Sequence, residues 1–521
     1  MTPHERAPSS SPAVLWPRCS VVYGCTGRTA GPYDACPAHL RPEQLERFLG
    51  GLRPGAELDL RGATVPPGLL AALLDAVTGP DKRPHLGRAR FDGAVVHADA
   101  PLRAACFEGD SSFDGACFIG GASFFDVRFF GNVSFRGARF AGNATFHGAR
   151  FHRHASFEET VFAGDALFGE AAWHADASFA HAVFMGAACF DRARFGRDAG
   201  MQAVCFGGAV SFRRVQVTRH LRFERTRFRH DLWLGPLVAR RIDLAHVHAH
   251  GGLRVDAAAL EVTAQAMTVR AAAEFKLRHT ELDLENSSFK GAVRVRPHTH
   301  PFQGLPEPAS WDGDDTVRVN SLRGVTAERL DLADVDLSRC QFIGLQRPDH
   351  LRIVEGCSFA TTPRTRRWLP WRAPKSRAVL AEDPGTRVPL HGPLEDPVGA
   401  ARLETLYRQL AQATADSDGG LARDFRYCAL EMHRRAEPVQ WRRWGLHLLW
   451  ITCGYGLRTG RLFVWLAVVA VLVCGTVTIA RSGRNPVAAH PGTHMHTHDL
   501  VRAHVRGHVR AHAPAQDGTT P

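Results

Sequence analysis

The sequence predicts a mainly β fold, a coiled solenoid of very short stacked strands, and three observations predict it. The first is a register. Reading the bulky residues from Phe107 gives Phe113, Phe118, Phe124, Phe129, Phe135, Phe140, Phe146, Phe151, Phe157, Phe162, Phe168, Trp173, Phe179, Phe184, Phe190 and Phe195, in steps that alternate 6 and 5 without a slip. The second is a small residue two places before each of them, Ala everywhere except at Ser111, Val127, Val133 and Thr160. The third is composition: 31 Phe against 5 Tyr in 521 residues. That imbalance points to one buried position filled again and again, because a buried Tyr would need a partner for its hydroxyl.

Steps of 5 and 6 do not fit a helix, whose apolar positions recur every 3.6 residues. On a strand, residues i−2 and i share a face and i−1 points away. Each unit therefore turns a small residue and a Phe inward, and Gly, Asn or Asp turns the corner. Gly109, Gly115, Gly120, Gly131, Gly137, Gly142 and Gly148 stand at such corners. The register continues through Met201, Phe206, Phe212, Val217, Phe223 and Phe228, and back through Leu102 to Phe91. Units this short cannot bury a face alone, so they must stack. Collagen is excluded, since 49 Gly are far from a third of the chain, and 45% hydrophobic residues argue against disorder throughout.

Units such as Ala122-Ser123-Phe124, Ala138-Arg139-Phe140 and Ala155-Ser156-Phe157 resemble the pentapeptide-repeat family in its Phe-centred subtype. The resemblance implies a right-handed quadrilateral β-helix over 91–230. Four faces per turn make 22 residues per coil, about six coils from Phe91 to Phe228, and a rod of roughly 30 Å at ~4.8 Å per stacked strand. A sixth residue in alternate units departs from the family pattern and would widen two of the four corners. From 231 to 359 the spacing becomes uneven. Ile242/Leu244, Leu253/Val255, Phe275/Leu277 and Val293/Val295 keep the inward pair, a Pro-rich loop interrupts at 297–316, and the repeat is expected to end near Phe359.

Residues 1–50 carry Cys19, Cys25, Cys36 and His39 within 21 residues. Cys36-Pro-Ala-His39 has the two-residue gap of a metal knuckle, which makes these four the candidate ligands of a structural zinc; ordinary buried or free thiols are the alternative. Cys106, Cys117, Cys189 and Cys205 each precede an inward residue and are expected to point outward, too far apart to bridge. With no signal-peptide run at the start, the cysteine usage reads as reducing. Residues 51–90 are expected to form a helical N-terminal cap around Leu52 and the run from Leu69 to Leu74, following a helical stretch at Leu45 and Phe48.

Residues 360–400 hold seven Pro and an Arg cluster and read as a linker. A helical pair is expected over 401–438, broken at Gly419-Gly420. This stretch resembles a helical module that often follows pentapeptide repeats in bacterial membrane proteins. An interfacial helix is expected over 439–460, where Trp441, Trp444 and Trp450 accompany Arg442 and Arg443. The uncharged run from Leu462 to Ala480 predicts a single transmembrane helix and an inner-membrane location. Arg442, Arg443, Arg458 and Arg461 before the run place the repeat domain in the cytoplasm. Thr452-Cys453-Gly454-Tyr455-Gly456 has the letters of a channel filter, but a filter needs spans on both sides. The His-rich tail, 481–521, reads as disordered with no dedicated ligand.

No phosphate-binding Gly-Lys-Ser loop, Gly-x-Ser-x-Gly or His-Glu-x-x-His occurs, so no enzyme is predicted. Some pentapeptide proteins are acidic rods that mimic duplex DNA and bind topoisomerases. Residues 91–230 hold 16 Arg, no Lys and 14 Asp+Glu, a net +2, which does not supply the negative field a mimic needs. The basic stretch 191–230 invites nucleic-acid binding, but no outward aromatic residues interleave with it for stacking. The reading is a non-catalytic, membrane-anchored scaffold with an unidentified protein partner and no certain cofactor.

Overall fold

The computed structural model describes residues 16–311, 315–354, 356–362, 377–383, 397–415, 417–457 and 459–482. The chain divides into two compact units, Met1–Ile451 with Tyr455–Leu457, and Thr452–Gly454 with Arg458–Pro521.

The first unit is a parallel β-solenoid. Two-residue strands pair with strands one turn away: Phe107 with Phe129, Phe129 with Phe151, Phe151 with Trp173 and Trp173 with Phe195. The other inward columns rise by the same interval, as in Phe118, Phe140, Phe162, Phe184 and Phe206. Four columns of rings thus run along the axis. Within a column the rings stack, Phe135 on Phe157 at 4.9 Å and 5°. Between columns they meet edge to face, Phe124 on Phe135 at 5.4 Å and 89°. Both geometries are favoured by the ring quadrupole. Thr160, which replaces the inward Ala, is buried and donates its hydroxyl to the Phe135 carbonyl at 2.8 Å.

The two corner lengths are solved differently. Five-residue steps pass through one left-handed residue, which recurs every 11 positions through Gly93, Ala104, Gly115, Asp126, Gly137 and Gly148 to Arg225. Six-residue steps use the extra residue to avoid that conformation. Glycine at these corners answers to crowding instead. A Cβ on Gly142 would lie 2.6 Å from the Gly120 carbonyl oxygen, and one on Gly164 would lie 2.7 Å from the Gly142 backbone.

After Phe228 the coil shortens. Phe228 pairs with Ala249, Ala249 with Val269 and Val269 with Phe289, so the interval falls by one position and then by one more. Four units of five then close one turn, and the uneven sequence spacing is this change of pitch. The loop after Pro297 lies against the wall through buried Arg278, whose guanidinium donates to Glu307 at 3.0 Å, while His279 Nε2 lies 2.9 Å from the same carboxylate.

Both ends are covered by helices. At the start, α1 (Pro42–Gly51) and α2 (Leu69–Ala76) flank a first coil made by β1 (Ala56–Asp59) and β2 (Thr64–Val65). These strands pair with β3 (His85–Arg90) and β4 (Val95–Val96). The segment 51–90 is therefore coil as well as cap. Leu58, Leu60 and Val65 take inward places that Phe fills later, which hides the register there. At the far end, α3 (Pro397–Ala413) packs against α4 (Gly419–Ala436), which Asp418 caps by accepting from the Gly420 and Leu421 amides. Phe425 meets Phe359 of the last coil edge-on at 5.1 Å, and the buried Tyr407 hydroxyl accepts from Leu380 N and donates to Asp383, both at 2.9 Å. Helix α5 (Gln440–Cys453) follows, with Trp450 Nε1 donating to Tyr427 Oη at 2.8 Å.

In the second unit the described structure is α6 (Thr459–Ser482). Among the described residues no helix is long and apolar enough to cross a membrane. This overturns the span expected from Leu462 to Ala480 and the single-pass inner-membrane location that rested on it. The inward orientation inferred from flanking arginines falls with the span. Most of the His-rich tail, from 483 on, lies outside the described residues.

Candidate functional site

Two features of the first unit stand out chemically. One is the cysteine and histidine cluster before α1. Cys36 opens a short 3-10 turn, Pro37–His39, and the proline fixes the turn that brings His39 back over the thiol. Sγ of Cys36 lies 3.3 Å from His39 Nδ1, Cys19 Sγ lies 3.6 Å from the same nitrogen, and Cys25 Sγ lies 3.9 Å from Cys36 Sγ. All four ligand atoms fall within 4.8 Å of one another, with Cys19 and Cys36 buried. No disulfide joins any described cysteine.

The electrostatics of the cluster are uneven. Burial works against the Cys19 thiolate, yet the backbone amides of Cys36, Val21 and Val22 and the His39 ring bring its pKa down to about 6. Burial, then the charges of Cys25 and Cys19, push Cys36 up to about 12. One sulfur is thus prepared to be anionic while its neighbour pays for that charge, a conflict that a bound cation removes. The sequence brings together these four residues from three chain segments.

The other feature is the set of outward columns. Arg128 and Arg150 are register partners on adjacent coils, and Arg194 lies two coils beyond Arg150 on the same face. None of the three forms an ion pair among the described residues, and Arg128 Nε is buried without a partner. Beside them Phe130 stacks on His152 at 4.7 Å, and His152 on His174 at 4.7 Å and 5°. Burial lowers the His152 pKa, and the charges of His174, Arg150 and Arg128 lower it further. A neighbouring face carries Ser112, Ser134, Ser156 and Ser178 in register. There Ser112, Ser134 and Ser178 donate to Asp92, Asp114 and Glu158. This serine face forms a shallow groove of about 680 Å³ that ends at Trp16.

Some outward residues depart from the sequence reading. Cys106 is buried rather than exposed, because Arg83 reaches over it. Outward aromatic rings occur outside the basic stretch 191–230: Phe125, Phe130 and Trp233 are exposed. Arg213 and Arg254 lie over the Trp233 ring at 5.2 and 5.1 Å, and Phe125 lies between Arg103 and His147. Phe125 and Phe130 each directly follow an inward Phe, and Trp233 stands between the inward Leu232 and Leu234.

Nothing matches the chain among curated proteins or among solved structures. The sequence profile described as pentapeptide repeats (9 copies) matches residues 126–161, within the coils where Phe129, Phe135, Phe140, Phe146, Phe151 and Phe157 stack. By its repeat, its parallel strands and this match, the solenoid of this chain is similar to the pentapeptide-repeat family over residues 126–161.

Proposed function

We propose that this chain is a non-catalytic, protein-binding rod whose docking face is the one lined by Arg128, Arg150 and Arg194, and whose partner presents acidic groups to it. A pentapeptide-repeat solenoid suits a rod-like interaction scaffold. The observation that carries the finer reading is the arginine pair itself. Like charges directly opposite on neighbouring strands destabilise a sheet. Arg128 and Arg150 nevertheless face each other across one coil with neither in an ion pair among the described residues. Elsewhere on the rod arginines pair with carboxylates, as Arg136 does with Glu159 and Arg192 with Glu170.

An acidic protein surface relieves that repulsion and gains the desolvated charge pairs. Nucleic acid is the less favoured anion. Base stacking needs free aromatic faces, and those of Trp233 and Phe125 are covered by the chain's own Arg and His side chains. The test is a photo-reactive residue placed at Phe130 on the proposed face and, separately, at Ile119 on a different strand column of the full chain. Crosslinking in native extract is expected to give a protein adduct from position 130 that Arg150→Glu abolishes. A nuclease-sensitive adduct, or equal yields from both positions, would sink the reading.

A further inference from the structure

We propose that Cys19, Cys25, Cys36 and His39 bind one structural zinc ion, and that this metal locks the N-terminal segment over the open edge of the first coil.

The geometry supports the ion's identity. With Zn–S near 2.3 Å and Zn–N near 2.0–2.1 Å, a tetrahedral site has S···S edges of about 3.8 Å and S···N edges of about 3.5 Å. The cluster has 3.9 Å for Cys25 to Cys36, and 3.3 and 3.6 Å for the two sulfurs to His39 Nδ1. A disulfide would need the sulfurs at about 2.05 Å. Three thiolates and one imidazole are borderline-soft donors that select zinc over magnesium or calcium. Backbone amides support the sulfurs: Gly27 N donates to Cys25 Sγ at 3.4 Å, and Val21, Val22 and Cys36 amides point at Cys19. Such outer contacts orient metal ligands. Four protein ligands leave no open position for substrate, so the site is structural. Binding releases the thiol protons and involves no electron transfer.

The link to the solenoid follows from the residues between the ligands. Gly27 lies against Cys36, where a Cβ would come within 2.9 Å of its sulfur, and Cys19 N donates to Gly27 O at 2.7 Å. The flanking residues reach the first coil. Thr26 Oγ1 donates to Gly62 O at 2.8 Å, Arg28 N donates to Arg61 O at 2.8 Å, and Arg28 pairs with Asp59. Among the described residues, strand β1 has a strand partner on one side only, β3. An uncovered edge of this kind invites pairing with another chain. Zinc at the cluster holds residues 26–28 in place over the corner that follows β1.

The test is metal content and cobalt spectroscopy on the full chain, purified under reducing conditions. One zinc per chain is expected. Cobalt(II) in its place is expected to give the strong visible bands of a tetrahedral site together with thiolate-to-cobalt charge transfer, which a histidine-only site in the tail does not produce. Cys36→Ser and His39→Ala should each lose the metal, and Cys106→Ser and Cys189→Ser should keep it. Because Cys36→Ser can also unfold the cap, Cys25→His is the conservative variant: it should retain zinc while its cobalt charge-transfer band weakens. Metal-free protein after reconstitution, a cobalt spectrum without thiolate character, or full metal in Cys36→Ser would each overturn the proposal. Chelation of the wild-type chain is expected to produce concentration-dependent association; a chain that stays unassociated without metal would refute the locking role.

Discussion

Trp173 stacks on Phe195 with 4.4 Å between ring centroids and 4° between planes, while its indole Nε1 is buried with no hydrogen-bond partner among the described residues. An unpaired buried donor costs about 1–3 kcal/mol. Trp173→Phe restores the residue used at every other rung from 107 to 195 and removes that donor. It is expected to leave the urea midpoint unchanged or raise it, whereas Trp173→Ala should cost about 3–5 kcal/mol. A loss above about 2 kcal/mol in Trp173→Phe would show that indole volume outweighs the donor penalty.

Two glycines separate backbone conformation from crowding. Gly93 has φ 63° and open space where a Cβ would go, so Gly93→Ala should cost about 1 kcal/mol, the left-handed penalty alone. Gly142→Ala meets the Gly120 carbonyl at 2.6 Å and must push two coils apart, an expected loss of about 3 kcal/mol. Ala203, at φ 55°, is the converse, and Ala203→Gly should be neutral or stabilising. Thermal unfolding of the three variants ranks them.

How much of this is legible in the sequence follows from particular residues. The alternation of 5 and 6 between Phe107 and Phe195 carries the coil length, because the larger inward place of every unit from 107 to 195 is aromatic and the chain never skips one. It fails at Leu58, Leu60 and Val65, where aliphatic residues fill the same columns and α2 interrupts the turn. Past Phe228 it blurs, since coils that are shorter by one or two positions break a register read at the longer period. The cysteine cluster is visible as spacing, but the sulfur to imidazole distances depend on the Pro37 turn and on the Gly27 contact, which are not local patterns. Cys106 departs from its expected exposure because its cover, Arg83, comes from outside the repeat. Absence of charge over 462–480 suggests a span, but among the described residues no helix is long and apolar enough to be one.

Removing one member of the arginine pair tests its cost. Arg150→Ser is expected to stabilise the rod by about 0.2–1 kcal/mol, with a larger gain in low salt, where screening is weaker. The same variant should weaken capture of the partner. Denaturation at two ionic strengths gives the first result, and the position 130 crosslink gives the second.

His152 makes stability depend on acidity. Its folded pKa lies below the ordinary histidine value because of burial, His174, Arg150 and Arg128. The unfolded chain therefore takes up the proton more readily, so this contribution is present above pH ~6.5 and is lost as pH falls through the folded value. His85 runs the other way. Burial opposes its proton, but Asp81 and Glu108 raise its pKa, and its contribution is lost as pH rises. His152→Gln should narrow the gap between urea midpoints at pH 5 and 7.5; an unchanged gap assigns the acid loss to other groups.

The loop clamp should be separable from the wall. Arg278 is 3% exposed, and Glu307 is its closest acid. Glu307→Gln leaves the buried guanidinium with Asp315 at 3.2 Å as its remaining acid, so the loss is expected to fall below the about 3–5 kcal/mol of a fully broken buried pair. That loss is expected to show first as faster proteolysis within 297–316, before the solenoid melts.

Because each turn closes on itself and repeats the same four inward places, the molecule can change length only in whole steps. Excising one full turn, such as 126–147, would join Phe125 to Gly148 with every column still continuous and the two ends still covered. Excising half of that would set each face half a turn out of line with the one below. Natural lengthening and shortening of such a chain is therefore quantised, and any partner that measures the distance between its ends reads a whole number.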